Sequence, residues 1–82
     1  MLNYTITTTI DAKGLACPMP LLKAKQALNK LSEGDVLEVW ATDAGSFRDF
    51  HVFLDQSAHE LLLAEETDGI FRYLMRRGPL AR

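Results

Sequence analysis

At 82 residues the chain is long enough for a single self-supporting core, and it reads as one domain over residues 1–82. Hydrophobic residues at 48% and charged residues at 24% exclude a disordered chain, and a net charge of −2 argues against a general nucleic-acid binder. The one cysteine, Cys17, excludes an internal disulfide, a Cys-x-x-Cys redox pair and a four-thiolate zinc site.

Met1-Leu2-Asn3-Tyr4-Thr5 has no basic region ahead of a long apolar run, so no secretory signal is expected. Thr5-Ile6-Thr7-Thr8-Thr9-Ile10 is β-branched and predicts a first strand. Asp11-Ala12-Lys13-Gly14-Leu15-Ala16-Cys17 reads as the loop leaving it. From Pro18 the period becomes helical, with Leu21, Ala24, Leu28 and Leu31 on one face and Lys23, Gln26 and Lys30 on another. Pro18 and Pro20 fit the first turn, where a missing N–H leaves no helix bond unmade. Ser32-Glu33-Gly34-Asp35 is expected to stop that helix, with Gly34 just past its end.

Val36 to Thr42 is mostly apolar and predicts a central second strand. After Asp43-Ala44-Gly45, the run Ser46-Phe47-Arg48-Asp49 has capping-box form, with Ser46 as cap and Asp49 three residues on. Phe47, Phe50, Phe53, Leu54 and Ala58 are the expected core stripe of a second helix over about 46–57. His59 to Glu66 and Ile70 to Arg76 read as third and fourth strands joined by a tight Asp68-Gly69 hairpin, and the tail from Gly78 to Arg82 is expected to fray. The order β-α-β-α-β-β predicts an α/β two-layer sandwich, a four-stranded sheet with both helices on one face. Leu61-Leu62-Leu63-Ala64 is among the longest apolar runs and is too short for a membrane span.

Charge is unevenly distributed: residues 1–30 carry +3, 31–69 carry −9 and 70–82 carry +4. Most of these charges read as solvated surface, but Lys13 and Lys23 are expected to form a basic rim around Cys17. A free thiol suits a reducing compartment, so the cytoplasm is expected, with no membrane partner. A cysteine at a helix N-terminus gains from the dipole about 0.3–1 kcal/mol, less than one pKa unit. A modest lowering of the Cys17 pKa is therefore expected, favouring the thiolate nucleophile. If sulfur moves between cysteines, an intermediate acidity serves a thiol that must first attack a persulfide and later leave as a thiolate. His51 and His59 lie in other elements and give no cysteine–histidine pair, and with their neighbouring acids they lack metal-ligand spacing. No metal and no cofactor is expected.

Asp11-Ala12-Lys13-Gly14-Leu15-Ala16-Cys17-Pro18-Met19-Pro20 resembles the signature of the TusA/SirA-like (YedF-like) sulfur-carrier family, Asp-x-(Arg/Lys)-Gly-Leu-x-Cys-Pro-x-Pro. The resemblance continues through Gly34, Thr42-Asp43, Arg48-Asp49, His59-Glu60-Leu61, Thr67-Asp68-Gly69 and Arg72-Tyr73-Leu74. It implies a fold similar to the C-terminal domain of translation initiation factor three. It also implies that Cys17 accepts a persulfide from a cysteine desulfurase or rhodanese and passes the sulfur to a downstream acceptor protein. Destinations in that family include tRNA thiolation, molybdenum-cofactor enzymes and sulfur oxidation. Asp11, Lys13, Gly14, Pro18, Pro20 and Lys23 are the expected supports of the site, and Asp43, Arg48 and Asp49 possible partner contacts. Met19 stands where TusA proper has glutamate and Ala16 where a basic residue is common, changes that bear on partner choice. The alternative is a non-catalytic regulatory or protein-interaction module that docks through the Cys17 surface. RNA binding by analogy of fold is a third reading, and it needs basic residues interleaved with exposed aromatics.

Overall fold

The computed structural model describes residues 4–79. Its elements, in chain order, are β1 (Thr8–Ala12), α1 (Met19–Lys30), β2 (Val36–Ala41), α2 (Gly45–Asp55), β3 (Glu60–Thr67) and β4 (Ile70–Arg76). The strands form one mixed sheet in the order β1-β2-β4-β3, with β1 parallel to β2 and the other pairs antiparallel. The parallel pair requires a crossover, and α1 supplies it. This is the expected β-α-β-α-β-β sandwich, and β2 is central as its unbroken apolar run predicts.

Alternation decides which strand residues meet the helices. Leu37, Val39 and Ala41 of β2 and Tyr73 and Met75 of β4 join Ala12, Ala24, Leu28, Phe50 and Leu54 in one buried cluster. The opposite strand residues carry charge. Glu38 accepts from Thr9 Oγ1 at 3.0 Å and from Arg72 Nε at 2.6 Å, and Arg72 and Lys13 lie 5.4 and 5.8 Å from the centre of the Trp40 ring.

Several boundaries differ from the sequence reading. The first strand runs to Ala12, not Ile10, because Asp11 and Ala12 still pair with Trp40 and Ala41 and Ala12 is fully buried. The first helix ends where Leu31 turns extended, with φ −92° and ψ 160°. Gly34 is therefore not the residue just past the helix end. It sits at φ +91° in a turn closed by Asp35 N–H on the Ser32 carbonyl at 3.0 Å, and its own N–H donates to the Arg77 carbonyl at 2.8 Å.

The expected capping box is absent. Ala44 precedes α2 in helical conformation and no side chain caps it, while the Ser46 hydroxyl bonds Tyr73 Oη at 2.8 Å inside the core. Of the expected aromatic stripe, Phe50 and Leu54 are buried, whereas Phe47 is 40% exposed and Ala58 lies beyond the helix and exposed.

Asp68 and Gly69, at φ +52° and +81°, make the expected two-residue hairpin between paired Thr67 and Ile70. His59 falls just outside β3, because its N–H bonds Ser57 Oγ at 3.1 Å. The expected fraying is only partly testable: residues 80–82 lie outside the described residues, as do residues 1–3. Gly78 within the described range is held, donating its N–H to His59 Nδ1 at 2.9 Å. A methyl on Gly78 would sit 2.0 Å from the Ala58 carbonyl oxygen, so the backbones touch there.

Two outcomes follow from this packing. Phe50→Ala, at a fully buried ring stacked 4.3 Å from Tyr73, is expected to cost about 3–5 kcal/mol in a urea unfolding midpoint series. His59 is held below its ordinary 6.5 by burial and then by the positive charge of Arg77. The fold therefore favours neutral imidazole, and its contribution is present above about pH 6.5 and lost as pH falls through the lowered folded-state pKa. Urea midpoints from about pH 7.5 down to 5 are expected to fall more steeply in the native protein than in His59→Asn.

Candidate functional site

The loop from β1 to α1 is built by local bonds. Asp11 Oδ1 accepts the Lys13 N–H at 3.0 Å, and the Leu15 N–H reaches the Ala12 carbonyl at 3.2 Å. Gly14, at φ +85°, turns the chain and donates its N–H to Thr42 Oγ1 at 2.9 Å, tying this loop to the end of β2. Leu15 anchors the loop against the core. Cys17 then stands exposed, joined to Pro18 by a cis peptide bond, and Pro20 is fully buried one turn of chain away.

The first turn of α1 offers a thiolate few donors. Pro18 and Pro20 have no N–H, and the Met19 N–H is taken by the Ala16 carbonyl at 2.9 Å. What meets the sulfur is acidic. Cys17 Sγ donates a hydrogen bond to Asp49 Oδ2 on α2. Asp43 lies close by in the β2–α2 loop, its buried Oδ2 without a hydrogen-bond partner. Gly45 leaves the room for this approach. A β-carbon there would lie 3.0 Å from Asp43 Oδ2 and 3.8 Å from Cys17 Cβ.

The expected lowering of the Cys17 pKa is therefore reversed. The hydrogen bond to Asp49 holds the Cys17 pKa above its ordinary 9.0, with local desolvation and the negative charges of Asp49 and Asp43 acting in the same direction. The resting group is a neutral thiol.

The remaining predicted residues divide cleanly. Gly14, Pro18 and Pro20 shape the cysteine loop, and Asp43 and Asp49 are brought to the thiol itself. The expected basic rim is not there. Lys13 reaches over Trp40, and Lys23 lines a groove between α1 and β1 with Asp11, Gln26 and Lys30. Arg48 lines a cleft of about 340 Å³ between the helices, with Lys25, Phe53 and the same Asp49 that meets the thiol. Sequence reasoning missed Gly45, and it read Asp49 as a cap and a possible partner contact, not as the neighbour of the thiol. The spacing that places Asp49 one turn beyond Gly45, on the face toward α1, is helical, but which element it meets depends on how the two helices pack. Met19, Leu22, Phe47 and Val52 add exposed apolar surface on the two helices.

Comparison with known proteins gives a consistent result. The family model for sulfurtransferase TusA matches residues 8–77. The sulfur carrier protein TusA of Allochromatium vinosum is 47% identical over 68 residues, covering 83% of this chain and 90% of its own length. The sulfur carrier protein TusA of Pseudomonas putida is 38% identical over 77 residues, covering 94% and 96%. The crystal structure of a SirA-like protein from Desulfitobacterium hafniense aligns with a TM-score of 0.77 at 29% identity, over 89% of this chain and 100% of that one.

Alkylation by iodoacetamide is expected to be slower for the folded protein at pH 7 than for the same chain in urea. Its rate should rise through a midpoint above that of the unfolded thiol, as the raised pKa requires.

Proposed function

The chain belongs to the TusA sulfurtransferase family and is a sulfur carrier, and from that premise we propose that Cys17 accepts sulfur as a persulfide from a donor protein and relays it to an acceptor protein. The donor is a cysteine desulfurase or a rhodanese. The acceptor belongs to a route such as tRNA thiolation, molybdenum-enzyme maturation or sulfur oxidation, in the reducing cytoplasm.

The observation that carries this reading is an exposed thiol on a fixed loop, in a chain with no second cysteine. A persulfide on Cys17 has no thiol of its own chain to attack it and close a disulfide, so the sulfur leaves only to another molecule. Exposure suits hand-over between proteins, where the donor's own site supplies the enclosure. Asp43, Arg48 and the cleft between the helices are the surface the partners meet, and the exposed side chains of Met19, Leu22 and Val52 give that surface apolar contact area.

Incubation with a cysteine desulfurase and cysteine, followed by intact-mass spectrometry, is expected to show one added sulfur that a reductant removes. Cys17→Ser should acquire none. Absence of the adduct with loaded desulfurase and loaded rhodanese alike would overturn the reading.

A further inference from the structure

We propose that Asp49 is the proton-transfer residue of the sulfur hand-over: its carboxylate takes the Cys17 proton as the sulfur attacks the donor persulfide, and returns it to the departing donor thiolate. This rests on the reading of Cys17 as the sulfur-accepting residue.

Three observations carry it. The Asp49 carboxylate already holds the Cys17 proton in a hydrogen bond, so no rearrangement precedes transfer. A free thiolate at this position is opposed by two carboxylates, Asp49 on α2 and Asp43 in the loop before it. The Asp43 Oδ2 facing this space is buried and has no hydrogen-bond partner to spread its charge. Ionisation ahead of attack is thus disfavoured, and the proton must leave while the new bond forms.

Among the described residues, the base hydrogen-bonded to the sulfur is Asp49. His51 Nδ1 instead meets the Phe47 carbonyl at 2.8 Å, and His59 Nδ1 accepts the Gly78 N–H at 2.9 Å. Among the cations near these elements, Lys25 and Arg48 line the interhelical cleft, Lys13 lies over Trp40 and Lys23 faces β1. The charges that act on the sulfur are those of Asp49 and Asp43.

The step balances. Cys17 Sγ attacks the terminal sulfur of a donor persulfide, R–S–SH, forming the Sγ–S bond. The donor S–S bond breaks and its electron pair leaves on the inner donor sulfur. The proton lost from Cys17 passes through Asp49 to that sulfur. The products are R–SH and the Cys17 persulfide, and one sulfane sulfur has moved with no net oxidation or reduction.

The test compares the native protein with Asp49→Asn and Asp49→Glu, all confirmed folded by circular dichroism. One readout is the pH profile of iodoacetamide alkylation. The other is single-turnover sulfur uptake from a persulfide-loaded cysteine desulfurase. Asn keeps the side chain's size but cannot accept a proton and carries no charge. Asp49→Asn is expected to shift the alkylation profile to lower pH, making the thiol easier to ionise, yet to slow sulfur uptake by about 10²-fold, within the usual range for general acid–base catalysis. Asp49→Glu is expected to recover part of the rate. Two results would overturn the proposal: uptake by Asp49→Asn as fast as or faster than native, or an alkylation profile that does not move. A native protein that takes up no sulfur would instead sink the underlying assignment of Cys17, and this inference with it.

Discussion

Tyr73 is where the site is fixed to the fold. Its ring lies parallel to Phe50 at 4.3 Å and its hydroxyl meets Ser46 Oγ at 2.8 Å, so two residues of α2, a turn apart, are locked to one residue of β4. Asp49 lies between those two anchors in sequence. Its position over Cys17 is therefore set by core packing and not by surface preference. On the other side, Pro20 and Leu15 seat the cysteine loop in the same interior. Burial pushes Tyr73 toward a neutral phenol despite the bond from Ser46, with the charges of Asp43 and Asp49 reinforcing the direction, so the anchor keeps its hydroxyl proton. Sulfur and carboxylate meet because two independent sets of apolar contacts each fix one of them.

Much of this architecture is written in local pattern. The 3.6-residue period of Ala24 and Leu28, the β-branched and apolar strands and the Asp68-Gly69 turn each demand one kind of structure, and each takes it. The misses have a common cause. Ser46 carries a capping signature, but the buried Tyr73 hydroxyl needs a partner inside the core, and that need wins over a cap that water can replace. Asp11 and Ala12 look like loop residues until β2 offers them a parallel neighbour.

The site was half legible for the same reason. Cys17 and its prolines announce themselves in one contiguous stretch, and family resemblance extends it over most of the chain. The electrostatics do not. A helix start suggested a stabilised anion, but proline at two of the first positions removes the donors that would do the stabilising, and Asp49 arrives from 32 residues away in sequence. A dipole worth less than one pKa unit is outweighed by a direct hydrogen bond to a carboxylate with a second carboxylate behind it.

That pair of acids also has a bearing on damage. Peroxides react with ionised cysteine, and the first rung of over-oxidation is the sulfenic acid. A sulfur standing in the open but kept protonated by Asp49 is shielded from them chemically, without the steric cover that would also shut out a protein partner.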